Sequence, residues 1–319
     1  MQDVALSVEQ VSKRFQKGII RKTLFRAVDD VSFQIKQNEV FGLVGESGSG
    51  KTTLLKMMFA LIEPTAGRIM LQGEEVTEKN RKFLKLFRQR AQIVFQDSYA
   101  SLNPRKSVQQ TLSAAAGTTF TTAAEQRDKV KEIMELVGLV PWQRYLARFP
   151  HELSGGERQR VGIARALVTG ATLIGADEPV SSLDVSIRAL ILNLFQKLQS
   201  QLGLTMIFVS HDLAVIRSLA DTVGVMYRGK IVEMAKAEEL FHNSIHPYTK
   251  LLLDSCLLPN PQKERSRHQF IETRIISHEE HKTGCSFYSR CLQREASCLQ
   301  YEPKLESVGT DHVVACKLT

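Results

Sequence analysis

The sequence predicts an α/β protein whose mainly parallel sheet is covered by helices on both faces. Short apolar runs at residues 40–44, 172–176 and 205–209 alternate with stretches of helical periodicity, which favours parallel strands joined by helices. Between these strands, residues 97–166 are mostly helical in pattern, which indicates an inserted α-helical subdomain. Four of the five cysteines follow residue 284, so we also expect a small C-terminal cysteine-containing domain.

The predicted domain boundaries follow these changes of pattern. We expect one core formed by residues 1–96 and 167–235, β-rich at its start, with the helical subdomain at 97–166 inserted in it. After about residue 235 the rhythm of strands and helices changes, so residues 236–319 are interpreted as a C-terminal extension. The chain contains no internal repeat, which indicates a single core.

Composition excludes some classes of function. The net charge of +8 and the pI near 9.2 permit binding to nucleic acid, anionic lipid or nucleotide phosphate. Because the basic residues are scattered and no aromatic residues interleave with them, we expect no nucleic-acid partner. The N-terminus lacks a signal-peptide pattern, and the apolar runs are far shorter than the ~20 residues of a membrane span. We therefore expect the chain to remain in the cytoplasm.

A glycine-rich segment at residues 45–52 fits the phosphate-loop pattern G-x-x-x-x-G-K-[ST], between a predicted buried strand and a predicted helix. In such a loop, backbone N–H groups bind phosphate oxygens, the lysine reaches the β- and γ-phosphates, and the final hydroxyl ligates Mg²⁺. We predict that Lys51 is a catalytic residue that contacts the β- and γ-phosphates, and that Thr52 is a ligand of Mg²⁺. The predicted nucleotide-binding residues of this segment are Gly45, Glu46, Ser47, Gly48, Ser49, Gly50, Lys51, Thr52 and Thr53.

Two later strands end in groups suited to phosphate chemistry. Asp177 and Glu178 close one apolar strand, and His211 follows the strand at residues 205–209. The carboxyl ends of parallel strands share one edge of a sheet, where ligand sites form. Asp177 is predicted to help hold Mg²⁺, Glu178 to polarise the attacking water, and His211 to contact a γ-phosphate. Elsewhere such acid pairs are mostly solvated surface residues and a lone histidine is usually structural.

The segment at residues 153–160, Leu-Ser-Gly-Gly-Glu-Arg-Gln-Arg, resembles the signature motif of the ABC ATPase family. A simple N-capped helix would explain the serine but not the full string. With the motifs above in order, the chain resembles that family over residues 4–258, which implies the P-loop NTPase fold of ABC ATPases, with ATP and Mg²⁺ as ligands. The resemblance also implies that Ser154, Gly155 and Gly156 contact the γ-phosphate of ATP held by an opposing subunit, at a helix N-terminus that favours anions.

The same resemblance implies roles for four positions outside the phosphate loop and the signature segment. Gln96 matches the glutamine that senses Mg²⁺ and the transport domain, with a part in catalysis. Asp184, within Ser-Leu-Asp at residues 182–184, matches the D-loop, and His211 matches the switch histidine. Phe15 stands where an aromatic ring stacks on adenine, although a core phenylalanine is an alternative.

Three segments resemble the oligopeptide/dipeptide/nickel importer group: residues 96–105, with Ser98 where proline is usual; residues 246–249; and the cysteine region from residue 284. This implies ATP hydrolysis that powers solute import, from the cytoplasmic face of the inner membrane. The implied partners are a second, related ABC ATPase chain, two transmembrane permeases and an extracytoplasmic solute-binding protein. We expect the second ATPase to be a different chain, with a homodimer as the alternative. Peptides, nickel, metallophores and glutathione-like solutes all remain open.

The last cysteines form a candidate metal centre. Their spacing differs from the paired C-x2-C of common zinc modules, and a reducing cytoplasm disfavours disulfides. By count, four thiolates suit a [4Fe–4S] cluster or zinc equally well. The resemblance implies an iron–sulfur cluster, so we expect the cluster, with zinc as the alternative. The predicted ligands are Cys285, Cys291, Cys298 and Cys316.

ABC ATPases outside transport give a second interpretation. The same core serves nucleic-acid processing and, as an accessory ATPase, phosphonate degradation. Chains of the first kind usually carry a long coiled coil, inserted zinc fingers or tandem ATPase units, and none of these patterns occurs in this sequence. The C-terminal cysteines argue against the second kind, so import is the leading hypothesis.

Overall fold

The computed structural model describes residues 4–17, 23–256 and 283–317. These residues form two sheets and the helices that pack on them. Across the described ranges, no helix combines the length and the apolar character needed to cross a membrane.

An antiparallel sheet of four strands, in the order β2-β1-β4-β5, forms one side of the molecule. In the second half of β2, the alternate residues Val31, Phe33 and Ile35 are buried, and together with Leu6 and Val8 of β1 they pack in one core with the first helix, α1 (Lys51–Met58). This period of two is the pattern of a sheet with one solvent-facing side. The strands are β1 (Val4–Lys17), β2 (Thr23–Lys36), β4 (Ala66–Leu71) and β5 (Glu74–Glu75).

The central sheet has eight strands in the order β11-β12-β10-β9-β3-β8-β7-β6. Five adjacent strands of this sheet, from β9 to β6, run parallel to one another. Every residue of β3, β7 and β8 is buried, as expected for parallel strands covered on both faces. The predicted parallel sheet is therefore confirmed. The parallel strands are β3 (Val40–Val44), β6 (Ala91–Val94), β7 (Leu173–Asp177), β8 (Thr205–Ser210) and β9 (Thr222–Tyr227).

Side chains of β3 alternate between two cores. Val40 and Val44 pack with the helices of one face, whereas Phe41 and Leu43 pack with α1 and the antiparallel sheet. The helices flanking the sheets are α1 (Lys51–Met58), α2 (Arg81–Arg90), α8 (Val185–Leu202), α9 (Leu213–Leu219), α10 (Ala237–Asn243) and α11 (Pro247–Cys256). Sequence reasoning missed α2, because most of its residues are basic or polar and only Leu84 and Phe87 are buried.

The inserted helical subdomain lies between β6 and β7, as predicted. Its longer helices begin at capping boxes formed by Ser107, Thr122 and Ser154, in which the side chain at the N-cap and the one three residues later satisfy free N–H groups. The helices are α3 (Ser98–Ser101), α4 (Val108–Ala116), α5 (Ala123–Leu136), α6 (Gln143–Leu146) and α7 (Gly155–Leu167).

The C-terminal residues extend the central sheet. β10 (Lys230–Lys236) pairs with β9 and with β12 (His312–Val314), and β12 pairs with β11 (Glu306–Gly309), all antiparallel. Two short 3-10 helices, Tyr288–Arg290 and Ala296–Leu299, lie between β10 and β11 in the chain. Sequence reasoning missed β11 and β12, which are too short to show a period of two.

A buried carboxylate joins the C-terminal extension to the core. Glu233 of β10 is fully buried, and its oxygens accept hydrogen bonds from the N–H groups of Ile245 (2.7 Å) and His246 (3.1 Å). His312 Nε2 of β12 lies 2.9 Å from Glu233 Oε1. Because a buried charge is costly without such partners, Glu233 ties β12 and the start of α11 to the sheet.

We predict that Glu233→Ala lowers the free energy of unfolding by about 3–5 kcal/mol, since it leaves the buried His246 and His312 and the half-buried N–H of Ile245 without their partner. Urea unfolding followed by circular dichroism measures this change. Glu238→Ala is the matched control, because Glu238 lies exposed on α10 and its loss should cost less than about 0.5 kcal/mol. Equal losses for the two variants would contradict the anchoring role of Glu233.

Candidate functional site

Four groups of predicted site residues stand at the ends of parallel strands, along one edge of the central sheet. The phosphate loop follows β3, Gln96 follows β6, Glu178 follows β7, and His211 follows β8. The register aligns these ends, because Val44 pairs with Ser210 and Asp177 pairs with Val209. The sheet edge is therefore what brings the sequence-distant motifs together.

The phosphate loop has a backbone that only glycine permits at two positions. Gly45 and Gly50 have φ of 150° and 107°, and a Cβ on either one would lie 2.1 or 2.2 Å from the carbonyl oxygen of Met226 or Ala27. Gly50 is the N-cap of α1 and offers no side chain to the first turn. The open N–H groups of that turn are suited to phosphate oxygens.

Lys51 is the buried cation of the loop. It is 5% exposed, and its Nζ donates hydrogen bonds to the carbonyl oxygens of Gly45 (2.7 Å) and Glu46 (2.9 Å). Burial lowers the pKa of Lys51, while the carboxylates of Glu178, Asp177 and Glu46 act in the opposite direction. The ammonium group is thus held inside the loop, close to Asp177, which ends β7, and to Glu178, which follows it.

Two of the predicted Mg²⁺ ligands are in contact. Thr52 Oγ1 donates a hydrogen bond to Asp177 Oδ1 at 3.0 Å. Burial raises the pKa of Asp177, and the hydrogen bond from Thr52 partly opposes that rise. Gln96, the third predicted ligand, is exposed in the bend after β6. β6 pairs in parallel with β7, which ends at Asp177, so Gln96 and Asp177 stand at the same edge of the sheet. Hydroxyl, carboxylate and amide oxygens are hard donors that fit Mg²⁺.

Glu178 and His211 are also in contact, with His211 Nδ1 3.0 Å from Glu178 Oε1. Glu178 has φ of 46°, a left-handed conformation that is unfavourable for a residue with a Cβ. Its N–H donates to the carbonyl oxygen of Val209 at 2.9 Å, which holds it in place. Such strained residues cluster at functional sites, and here the strain directs a carboxylate to the predicted switch histidine.

Ser154, Gly155 and Gly156 form the start of α7. Ser154 Oγ accepts from the N–H of Glu157 at 3.3 Å, and Glu157 Oε2 accepts from the N–H of Ser154 at 2.8 Å. The hydrogen bond from the Ser154 N–H lowers the pKa of Glu157. As an acceptor in this capping box, the Ser154 hydroxyl keeps its own proton for an anion.

The signature segment lies against the D-loop of the same chain. A Cβ on Gly155 would lie 3.5 Å from the Leu183 side chain, and one on Gly156 would lie 3.0 Å from that of Ile187. Asp184 is the exposed N-cap of α8 and makes no side-chain capping bond. A larger residue at Gly156 would therefore push on the helix that follows the D-loop.

Phe15 lies on β1, paired in register with Phe25 and 40% exposed. Lys13 Nζ is 5.4 Å from the centroid of its ring. This exposure contradicts the alternative that Phe15 is a core residue. Among the described residues, the structure does not bring Phe15 into contact with the phosphate loop.

The four C-terminal cysteines line one cavity, together with His246, Phe287 and neighbouring residues. Cys285, Cys291 and Cys298 form no disulfide bond, and burial raises the pKa of both Cys285 and Cys291. Over the part of the chain that the structure describes, no group of three or more His, Cys, Asp or Glu side chains could hold a metal ion. The predicted cluster or zinc therefore gains no support beyond the shared cavity.

Sequence reasoning missed two residues of the C-terminal extension that reach the phosphate loop. Arg290 binds the carboxylate of Glu46, and Tyr248 binds the Glu46 N–H. More than 200 residues separate each pair along the chain. Glu46 occupies a position that the loop motif leaves open, so no signal in the sequence pointed to either contact.

Comparison with known proteins agrees with this geometry. The ABC transporter family matches residues 28–181, and the oligopeptide/dipeptide transporter C-terminal region matches residues 232–298. The oligopeptide transport ATP-binding protein AppF of Bacillus subtilis is 40% identical, over 99% of this chain and 98% of that protein. A putative peptide import ATP-binding protein of Brucella ovis is 43% identical, over 98% of this chain and 96% of that protein.

Solved structures show the same fold. A subunit of the cbiONQ ABC transporter complex of Clostridium perfringens has a TM-score of 0.68 at 27% identity, over 83% of this chain and 99% of that chain. An ATP-binding cassette solved as a dimer with ADP and Pi has a TM-score of 0.64 at 27% identity, over 73% and 98% of the two chains. The chain therefore belongs to the ABC transporter family as an ATPase subunit, in the group that carries the oligopeptide/dipeptide transporter C-terminal region.

Proposed function

We propose that this chain hydrolyses ATP to power a membrane importer of peptides, bound to its permeases at the cytoplasmic face. The observation that carries the proposal is the similarity along the whole chain, C-terminal extension included, to ATP-binding proteins named for peptide transport. Nickel and other small solutes are the alternatives within the same group, because the chain that binds ATP does not contact the solute.

In the proposed reaction, the residues of the sheet edge have distinct roles. The phosphate loop and the N-terminus of α1 bind the phosphates of ATP, and Lys51 neutralises charge on the γ-phosphoryl group. Thr52, Asp177 and Gln96 would hold Mg²⁺, which would supply positive charge that stabilises the phosphates. Glu178 orients and deprotonates the attacking water. His211 fixes the Glu178 carboxylate and donates to the γ-phosphate.

We propose that each ATP is shared between two ATPase chains. Ser154 and the amides of Gly155 and Gly156 open a helix of 13 residues whose N-terminus is suited to an anion. They would bind the γ-phosphate held by the phosphate loop of the partner, with Asp184 beside them. We propose a different but related ATPase chain as that partner, together with two permeases and a solute-binding protein outside the membrane.

A cleft supports the permease contact. It lies between α2, β6 and the end of α4, and its lining includes Phe95, which precedes Gln96, and the basic residues Arg81, Lys85 and Arg88. A permease segment in this cleft would touch the chain next to a proposed Mg²⁺ ligand. Closure of the ATPase pair would then move the permease, which links hydrolysis to transport.

We predict that Glu178→Gln lowers the rate of ATP hydrolysis by about 10²–10⁴-fold, because the amide cannot accept the proton of the attacking water. ATP binding should persist, since the phosphate loop and Lys51 are untouched. Phosphate release and binding of a fluorescent ATP analogue measure the two properties. Glu132→Gln, an exposed change on α5, is the control. Normal hydrolysis by Glu178→Gln would contradict the proposed role.

The transport assignment is tested by purifying the tagged chain from its native membrane in mild detergent and identifying its partners by mass spectrometry. We expect two multi-span permeases and a second ATPase. Recovery of nucleic-acid-processing proteins or of lyase subunits, without a permease, would refute import and leave the ATPase assignment in place. Peptide uptake that stops in cells carrying Glu178→Gln would identify the solute class.

We further propose that Cys285, Cys291, Cys298 and Cys316 hold a [4Fe–4S] cluster, with zinc as the alternative. Support comes from the four thiols around one cavity, which is the donor set of such a cluster. Each thiolate of a cluster binds a different iron, so the ligands need not converge on one point as they do around zinc. The cluster would stabilise an extension that has little apolar core of its own.

The cluster proposal predicts iron and acid-labile sulfide in the anaerobically purified chain, with visible absorbance that is lost in Cys298→Ser. Cys256→Ser, which changes the fifth cysteine, is the matched control and should keep the absorbance. Zinc in place of iron would overturn the cluster in favour of the alternative. A wild-type chain with neither metal would refute both.

A further inference from the structure

The C-terminal extension contacts one residue of the phosphate loop, Glu46, through Arg290 and Tyr248. The guanidinium of Arg290 makes two parallel hydrogen bonds to the Glu46 carboxylate, at 2.7 and 2.8 Å. Bidentate, charge-assisted pairs of this kind are the strongest and most directional hydrogen bonds in proteins. The guanidinium also lies over the rings of Tyr227 and Phe287, 5.8 and 5.7 Å from their centroids, which limits its movement.

The backbone of Glu46 is held as firmly as its side chain. Its N–H donates to Tyr248 Oη at 2.9 Å, and Tyr248 is fully buried at the start of α11. Its carbonyl oxygen accepts the hydrogen bond from Lys51 Nζ at 2.9 Å. The Glu46 carbonyl oxygen also accepts from the Ser49 N–H at 3.1 Å, so every polar group of Glu46 has a partner, and two of these partners belong to the C-terminal extension.

The charge of Glu46 explains why these contacts affect the binding of ATP. A carboxylate inside a phosphate loop repels phosphate, and the hydrogen bonds from Arg290 lower the pKa of Glu46, which keeps it ionised. Arg290 supplies the compensating positive charge and holds the carboxylate in a fixed direction. Without Arg290, the free carboxylate would add negative potential where ATP binds.

We propose that Arg290 and Tyr248 are positioning residues of the ATP site, through which the C-terminal extension sets the affinity of the phosphate loop for ATP. Arg290 neutralises and orients the Glu46 carboxylate. Tyr248 fixes the backbone whose carbonyl oxygen holds Lys51. Both act on the loop rather than on the reacting atoms, and the role of Arg290, which compensates a charge, is confined to the binding of ATP. The proposal rests on ATP binding at this loop.

The test is the dissociation constant of a fluorescent ATP analogue for the full chain, with Mg²⁺ present. Arg290→Met should raise Kd about two- to fivefold, the size expected when a partly exposed ion pair is broken, with kcat at saturating ATP unchanged. Arg294→Met is the matched control. Arg294 lies in the same extension, but its guanidinium donates to the Ser289 carbonyl oxygen instead, so the Kd of this variant should equal that of the wild type.

A double variant separates positioning from a purely structural role. Arg290→Met combined with Glu46→Gln should recover near-wild-type Kd, because no uncompensated carboxylate remains. If Arg290 only keeps the extension folded, the double variant will bind as weakly as Arg290→Met, and that result would overturn the role of Arg290. An unchanged Kd in Arg290→Met would overturn it as well.

Tyr248→Phe should raise Kd both alone and in combination with Glu46→Gln, since the partner of the Tyr248 hydroxyl is the backbone N–H. Equal Kd values for Tyr248→Phe and the wild type would overturn the role of Tyr248. A wild-type chain that fails to bind the analogue would refute the ATP site itself, whereas a wild type that binds alongside unaffected variants refutes only the positioning by the extension.

Discussion

The parallel alignment of β6, β7, β3 and β8 is the constraint on which the site depends. Because these strands run in one direction, the loops that follow them meet at a single edge. That edge places Lys51 near the two acids at the end of β7, brings Thr52 to Asp177, and brings His211 to Glu178. A strand reversed at any of these positions would send its loop to the opposite edge and separate the contacts.

Contacts from outside the sheet edge complete the site. The extension is tied to the core through the buried Glu233 and to the phosphate loop through Arg290 and Tyr248. The helical subdomain presents Ser154 at a helix N-terminus next to the D-loop. We propose that these regions are two different halves of an ATP site shared between chains; a solved ATP-binding cassette of the same fold is a dimer with ADP and Pi.

Sequence reasoning succeeded where structure is encoded locally. The parallel sheet, the inserted helices and the contacts among the predicted motifs follow from patterns a few residues long, because strand order places each motif at a strand end. It failed where a contact joins distant, unpatterned positions, as between Glu46 and Arg290. It also missed β11 and β12, which are short and gain their stability by pairing with β10, and α2, whose apolar face is narrow.

The most direct test of the shared ATP site is photo-cross-linking with ATP that carries a reactive group on its γ-phosphate, in the purified transporter complex. We expect label on the segment around Ser154 of this chain to disappear when the phosphate-loop lysine of the partner ATPase is replaced, and to persist when Lys51 of this chain is replaced. Loss of the Ser154 label on replacing Lys51 alone would mean that each chain binds ATP with its own two motifs, and would contradict the shared site.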